Sequence, residues 1–266
     1  MKRFLFRLMS GAVVLSLIAG CTKAGKDDSL NEVLEKGTFV VGLDATFAPL
    51  GFLNDENEIV GFDIDIAREV CERLGVELVL QPIDWDAKMF ELESKTIDAI
   101  WNGFTITPSR QEQVQFSLPY LNNRQIILTD DTSIDSVSDL AGKKVGVQLQ
   151  SSGQTALEAN AVYANIQEEV KFDTYTLALA DLEVGRVDAI VIDETMGRYI
   201  NSKLTTPFLV VEEDLGDEEY GIGFRKNDTK LVERINVLLQ EMKSDGTSAT
   251  ISDFWFGEDL FLTGID

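Results

Sequence analysis

The sequence predicts an α/β fold of two halves with mostly parallel sheets, and three observations carry that expectation. Strand-like and helix-like stretches alternate along the chain, the arrangement that gives strands joined by helical crossovers. The pattern, begun at Thr38, starts again near Lys143. About 245 of the 266 residues remain once an N-terminal leader is set aside, more than one core fills comfortably.

In the first half, Thr38 to Leu43 (TFVVGL) reads as a strand, Asp63 is placed to cap a helix ending at Gly75, and Val76 to Pro82 is a second strand. Trp85, Met89 and Leu92 mark the buried stripe of the next helix, and Ile97 to Trp101 the next strand. In the second half, Lys143 to Leu149 is a strand, and Ser151 and Ser152 are cap candidates before a helix over Gln154 to Ala164. Val170 to Tyr175 (strand), Thr176 to Val184 (helix, closed by Gly185) and Val187 to Ile192 (strand) follow. Tyr220 to Phe224 reads as a strand, before a long helix with Leu231, Ile235, Leu238, Leu239 and Met242 on one face, ended at Gly246. An amphipathic piece, Ser248 to Phe256, closes the chain.

The halves share a phrase: Leu92-Glu93 runs into Ile97-Asp98-Ala99-Ile100, and Leu182-Glu183 into Val187-Asp188-Ala189-Ile190. Either the halves are equivalent, or the phrase is what any helix-turn-strand unit looks like. In parallel α/β sheets ligands sit beyond the carboxyl ends of strands. That rule singles out Asn102, Gly103 and Thr105 in the first half, and Asp193 and Glu194 in the second.

Residues 1–20 read as a signal peptide, with Lys2, Arg3 and Arg7 before an apolar run, Leu8 to Ala19, too short to span a bilayer. Ile18-Ala19-Gly20-Cys21 matches the box cut by lipoprotein signal peptidase; the alternative is an ordinary secretory leader with an incidental cysteine. A lipid on Cys21 would hold the protein on the outer face of a membrane, with residues 21–36 as linker. Cys71, on the apolar face Ala67, Val70, Cys71, Leu74, is expected to be a buried thiol. Loss of the leader removes three positive charges and no negative ones, taking the net charge from −23 to −26 and disfavouring nucleic acid as a partner. The chain has no histidine, which excludes His-based triads and His metal sites.

Thr107 is a good helix cap and Pro108 a good first residue, so Arg110 falls in a first helical turn. A cation there opposes the helix dipole and calls for an anion, either a glutamate of the protein or a bound carboxylate gripped by the planar guanidinium. Ser151-Ser152-Gly153 opens a helix whose free amides suit a second carboxylate contact, or simply caps it. Asp193, at a strand end, is suited to an ammonium group. Asp44 is placed to answer a distal ligand group or to cap the turn after it. Phe47, Trp85 and Trp101 either sandwich a ligand side chain or pack the core.

Several stretches then stand together: Gly42-Leu43-Asp44-Ala45-Thr46-Phe47-Ala48-Pro49, Val60-Gly61-Phe62-Asp63-Ile64-Asp65, Thr105-Ile106-Thr107 with Arg110, Phe116-Ser117 with Pro119-Tyr120, Gly142-Lys143-Lys144-Val145-Gly146 and Tyr220-Gly221-Ile222-Gly223. In order and spacing, from about residue 37 to 257, the chain resembles the polar amino acid solute-binding proteins of ABC transporters. The resemblance implies a two-lobe clamshell, with lobe 1 over 37–125 and 222–266, lobe 2 over 126–221, and two hinge strands between. It implies that Arg110 grips a ligand α-carboxylate with Thr105 and the helix start at Ser151 and Ser152. Asp193, the Gly103 carbonyl and the Thr105 hydroxyl would hold the α-ammonium, and Asp44, Phe47, Trp85 and Asn102 would surround the side chain. The implied partners are a free amino acid and the ABC permease, for a monomer without cofactor or metal. Two departures stand out: Leu78 occupies the position where some relatives pair a cysteine with that of Cys71, and Trp101-Asn102-Gly103 replaces smaller residues. Rival readings are a cyclohexadienyl-dehydratase-like enzyme, with Asp193 or Glu194 as acid, and an amino acid sensor.

Overall fold

The structure, a computed structural model, describes residues 27–262, so the leader and Cys21 lie outside it. The described chain opens on a helix, α1 (Ser29–Lys36), where a linker was expected through residue 36. Val33 is buried and Leu30 packs beside it, a one-turn apolar stripe too short to show in the sequence. Its anchor is tertiary: Asp27 Oδ2 and Ser29 Oγ accept hydrogen bonds from the backbone N–H groups of Lys230 and Leu231, 2.6 and 3.2 Å, at the start of the long C-terminal helix.

Along the first part of the chain come β1 (Thr38–Leu43), β2 (Thr46–Phe47), β3 (Gly51–Leu53), β4 (Ile59–Val60), α2 (Phe62–Leu74) and β5 (Glu77–Pro82). A 3₁₀ turn, Trp85–Ala87, leads into α3 (Lys88–Glu93), then β6 (Ala99–Ile100), α4 (Pro108–Gln113) and β7 (Val114–Phe116). The middle carries β8 (Leu121–Thr129), β9 (Lys144–Gln148), α5 (Ser152–Ala159), β10 (Glu168–Phe172), α6 (Tyr175–Glu183), β11 (Ala189–Asp193), α7 (Glu194–Lys203), β12 (Leu209–Val210) and β13 (Asp217–Tyr220). The chain ends in β14 (Gly223–Arg225), α8 (Thr229–Asp245) and α9 (Thr247–Phe256).

Two main sheets result, ordered β5-β1-β6-β14-β7 and β10-β9-β11-β8-β12. They are mixed rather than mostly parallel. β5-β1-β6 and β10-β9-β11 are parallel, but β14 and β8 enter antiparallel. These are the strands that follow each crossing between the sheets, so the chain feeds them in from the opposite end. The crossings themselves pair: Leu121–Arg124 of β8 runs antiparallel to β13, with Asn123 opposite Glu218. The single strand expected over Tyr220 to Phe224 is therefore broken after Tyr220, where the hinge hands over to the first sheet.

The shared phrase marks equivalent places. Asp98 Oδ2 accepts from Val40 N of β1 at 2.8 Å, and Asp188 Oδ2 from Lys144 N of β9 at 2.7 Å. Gly42 pairs with Ile100 and Gly146 with Ile190. A Cβ on Gly42 would lie 2.4 Å from the Ile97 side chain, and one on Gly146 2.9 Å from that of Ile190, so a larger residue at either place would force those side chains to shift.

Helices cover the sheets with apolar faces read from the 3.6-residue period. Ile66, Ala67, Val70 and Cys71 of α2 and Leu231, Ile235, Leu238 and Met242 of α8 are all buried. Each such Leu or Ile contributes roughly 1.5–3 kcal/mol relative to exposure. α2 ends at Gly75 in the left-handed conformation, φ 74°. Its start differs from expectation: the cap position is Gly61, and Asp63 is buried inside the first turn, its carboxylate turned away from the helix. Burial pushes the Cys71 thiol up to about 12, consistent with an inert core residue.

Candidate functional site

The carboxyl ends of β1, β6, β9 and β11 point at one cleft between the two sheets. The cleft is narrow, lined by Asp44, Phe47, Trp85, Asn102, Gly103, Arg110, Gln148, Ser151, Ser152 and Asp193. Of the residues singled out from sequence, Trp101 and Glu194 do not line it, and Thr105 lies just behind, 3.0 Å from Ser152 Oγ.

Arg110 follows the expected cap: Thr107 Oγ1 accepts from Arg110 N at 3.2 Å, and Pro108 is the first helical residue. With only six residues in α4, however, Arg110 is as near its end as its start, and the expected conflict with the dipole has little force. Tertiary contacts hold the guanidinium instead. Nη1 donates to Thr105 O (2.9 Å), Nη2 to Gln150 O across the cleft (3.4 Å), and the group lies 4.6 Å from the Phe104 ring centroid. Burial lowers its pKa to about 10, against the pull of the Glu218 and Asp193 charges, so it remains cationic at neutral pH.

Asp193 ends β11 and occupies the cap position of α7, yet its side chain caps nothing. Oδ1 accepts from Asn123 Nδ2 at 2.8 Å and from the Tyr220 hydroxyl at 2.7 Å. Burial first, and the neighbouring Glu218 charge second, raise its pKa to about 7. Its sequence neighbour Glu194 points elsewhere, held by Arg124 at 2.7 and 2.8 Å, and that hydrogen bonding keeps it below the ordinary carboxylate range.

At the other end of the cleft, Asp44 Oδ1 turns back onto Thr46, while Oδ2 accepts from Gln148 Nε2 of the opposite sheet at 2.8 Å. The turn-capping reading of Asp44 is thus realised through Oδ1, while Oδ2 faces the cleft. Phe47 packs on Tyr175 across the cleft, centroids 6.2 Å apart. Trp85 lies edge-on to Phe104 and beneath Lys88, whose Nζ, 4.9 Å from the Trp85 centroid, donates to Trp85 O and Gln150 O. Burial, then the Arg110 charge, lower Lys88 to about 7. Trp101 is a core residue, fully buried against Tyr120, and does not line the cleft.

The Asn102-Gly103 turn depends on Asp63. Its Oδ2 accepts from Gly103 N and from the Tyr120 hydroxyl, both at 2.8 Å, while Asn102 Oδ1 accepts from Asp44 N at 3.1 Å. Gly103 has φ 59°, and a Cβ there would lie 2.7 Å from Leu50. Burial raises Asp63 to about 7 despite those two donors. Asp63 and Asp193 therefore keep protons in the folded protein to about pH 7, whereas the unfolded chain releases them near 3.8. In that window the folded state binds more protons, so stability falls as pH rises and levels off above it. Without added ligand, the Tm should be higher at pH 5.5 than at pH 8.0, and Asp63→Asn should shrink the difference. A Tm that is the same at both pH values would show that neither carboxylate is penalised by ionising.

Glu218, Gln148, Lys88, Asn123, Gln125 and Tyr220 were not singled out as site residues. Gln148 ends β9 and obeys the same strand-end rule as Asp193. Glu218 and Tyr220 lie two apart on one strand and so share a face. That alternation is the signal that could have found Glu218.

Fold and cleft together define a two-lobe α/β binding protein of the periplasmic type, with two sheets joined by paired crossing strands over a small polar cavity. Residues 39–258 match the bacterial extracellular solute-binding proteins, family 3, and the chain belongs to that family. It is 33% identical over 257 residues to the L-cystine-binding protein TcyJ of Escherichia coli (strain K12), covering 95% of this chain and 96% of that protein. An ABC uptake transporter substrate binding protein from Streptococcus pneumoniae with bound histidine superimposes with a TM-score of 0.85 at 36% identity, over 89% of this chain and 98% of that one. The structure of Tv2483 bound to L-arginine gives 0.85 at 30% identity, over 90% and 99%.

Proposed function

We propose that the protein is the extracytoplasmic receptor of an ABC importer, capturing one free polar amino acid by closure of its two lobes and delivering it to the membrane permease. The observation that carries this is the pairing of Arg110 and Asp193 on one small cleft built from both lobes. The Arg110 guanidinium bonds to two backbone carbonyl oxygens, so its charge is left to answer an incoming carboxylate. In this reading Thr105, Ser151 and Ser152 assist at the carboxylate, Asp193 and the Gly103 carbonyl take the ammonium, and Asp44, Phe47, Trp85 and Asn102 border the side chain. Lobe 1 spans 37–125 and 222–266 and lobe 2 spans 126–221; the chain acts as a monomer. Arg110 and Lys88 from one lobe both reach Gln150 O of the other, contacts that favour closure once a ligand has neutralised the cleft.

The relatives support binding rather than catalysis, since they are solute-binding proteins. The grip of Arg124 on Glu194 removes one candidate acid of the enzyme reading. Recovery of the bound amino acid chemically unchanged after prolonged incubation is the expected result; a converted product would sink the receptor reading.

A thermal-shift screen over the common amino acids with ornithine, citrulline and cystine tests the function directly. The cognate ligand at 100 times its Kd should add about 2.7 kcal/mol of stability. No shift with any of them would refute amino acid capture. A lipid on Cys21 as membrane anchor rests on the Ile18-Ala19-Gly20-Cys21 box. Cys21→Ser should leave ligand binding intact and move the protein from the membrane fraction to the soluble one; retention in the membrane would exclude that anchor.

A further inference from the structure

Glu218 stands at the junction of both lobes and the hinge, and its contacts are concentrated on one atom. Oε2 accepts from Gln125 Nε2 (2.9 Å), Asn123 Nδ2 (3.0 Å), Thr105 Oγ1 (3.1 Å) and Ser152 Oγ (3.3 Å). Thr105 belongs to the first lobe and Ser152 to the second, Glu218 and Asn123 lie on the paired crossing strands, and Gln125 follows that pairing in β8. The same Asn123 Nδ2 donates to Asp193 Oδ1 at 2.8 Å, so the two carboxylate oxygens lie within about 6 Å of each other. A negative charge this close adds to burial in keeping Asp193 protonated.

We propose that Glu218 is a positioning residue of the ligand site: standing behind Thr105, Ser152 and Asn123, its carboxylate adds a second negative charge beside Asp193, and the ligand's ammonium group answers the pair. This deepens the amino acid reading above and rests on it. The charge balance explains why a pair is needed. Arg110 is the cation facing the pair, and a zwitterion brings it a carboxylate; the pair must then answer the ammonium with charge that Arg110 no longer offsets. The remaining groups around the pair are the neutral hydroxyls of Tyr220 and Tyr175, with Tyr220 on Asp193 at 2.7 Å. Lys88 lies beyond Arg110, bonded to Trp85 O and Gln150 O, and Asp44 is turned to Thr46 and Gln148. On binding, the proton held by Asp193 leaves to solvent, and the ammonium, keeping its own proton, takes its place.

The hydroxyls of Thr105 and Ser152 fit the same scheme. A hydroxyl has one proton to give, and one directed at Glu218 leaves its oxygen as an acceptor towards the cleft. Glu218 thereby suits these hydroxyls to an ammonium, whereas a hydroxyl that meets the ligand carboxylate must turn its proton away from Glu218.

The test is the dissociation constant of L-arginine and of L-cystine by calorimetry between pH 5.5 and 8.0, for the wild type, Glu218→Gln and Glu218→Asp. Where binding expels one proton, affinity climbs about tenfold per pH unit below the pair's titration and is level above it. The wild type should show that rise, and should release close to one proton at pH 6 in buffers of different ionisation enthalpy. Glu218→Gln removes the second of the two causes that raise Asp193, so it should release clearly less than the wild type at pH 6, level off at lower pH and bind about tenfold more weakly at pH 8.0, as loss of a charge-assisted interaction predicts. Glu218→Asp should restore the slope. Parallel profiles for the wild type and Glu218→Gln, or a wild type that releases no proton, would overturn the pair. Should Glu218→Gln not fold, the wild-type proton count and Glu218→Asp decide on the same terms. If no amino acid binds the wild type at any pH, the amino acid reading falls, and the pair with it.

Discussion

Arg110→Ala is expected to abolish binding of whichever amino acid the protein takes, a loss of roughly 10²- to 10³-fold or more, since truncating one member of a desolvated charge pair costs 2–5 kcal/mol or beyond. Two effects add. The ligand carboxylate loses a fork that makes two parallel hydrogen bonds, and the closed cleft loses the Nη2 contact to Gln150 O that ties one lobe to the other. Arg110→Lys keeps the charge but not the fork and should fall between the two. Burial disfavours the Arg110 cation, so Arg110→Ala should not lower the Tm measured without ligand, which separates lost recognition from lost folding. Near-native affinity of Arg110→Ala by calorimetry would sink the assignment.

Asp193→Asn is the second large effect, and its diagnostic value is selectivity. The carboxylate is held by Asn123 and Tyr220, with burial working against its charge, so an ammonium that arrives as counter-ion is strongly favoured. Replacing it with a neutral amide should weaken amino acids by about 30- to 100-fold, the scale of a lost charged hydrogen bond in a desolvated site. A des-amino analogue, such as 5-guanidinopentanoic acid compared with arginine, never makes that contact and should change by less than about threefold, within ordinary substitution noise. Equal losses for both compounds would refute the ammonium role.

Much of this site was legible before any coordinates, because strand ends are marked in sequence by their own chemistry. Thr107-Pro108 fixed the turn that carries Arg110, and the shared Asp-Ala-Ile phrases located the two strands whose ends bear Asn102-Gly103 and Asp193. The resemblance turned those positions into one cleft. The misreadings share a cause. Residues 29–36 read as linker because their apolar stripe is a single turn, and the segment is helical because it docks on the start of α8. Asp63 read as a helix cap because it precedes an apolar run; its carboxylate is instead spent on Gly103 N, forty residues on. Trp101 lies beside a cleft residue in sequence but faces the other way, as alternate residues of an extended segment do.

By itself the sequence determined the α/β alternation, the strongly acidic net charge and the helix start that carries Arg110, since each follows from composition, short-range pattern or local backbone preference. Only the tertiary structure decided that the sheets are mixed and that Glu218 shares Asn123 with Asp193. It also decided that Gln150, Lys88 and Arg110 meet across the lobes. The physical reason is range: periodicity and capping act over a few residues, whereas a buried charge is set by partners such as Asn123 and Glu218, ninety-five positions apart, which meet only when two strands cross the hinge together.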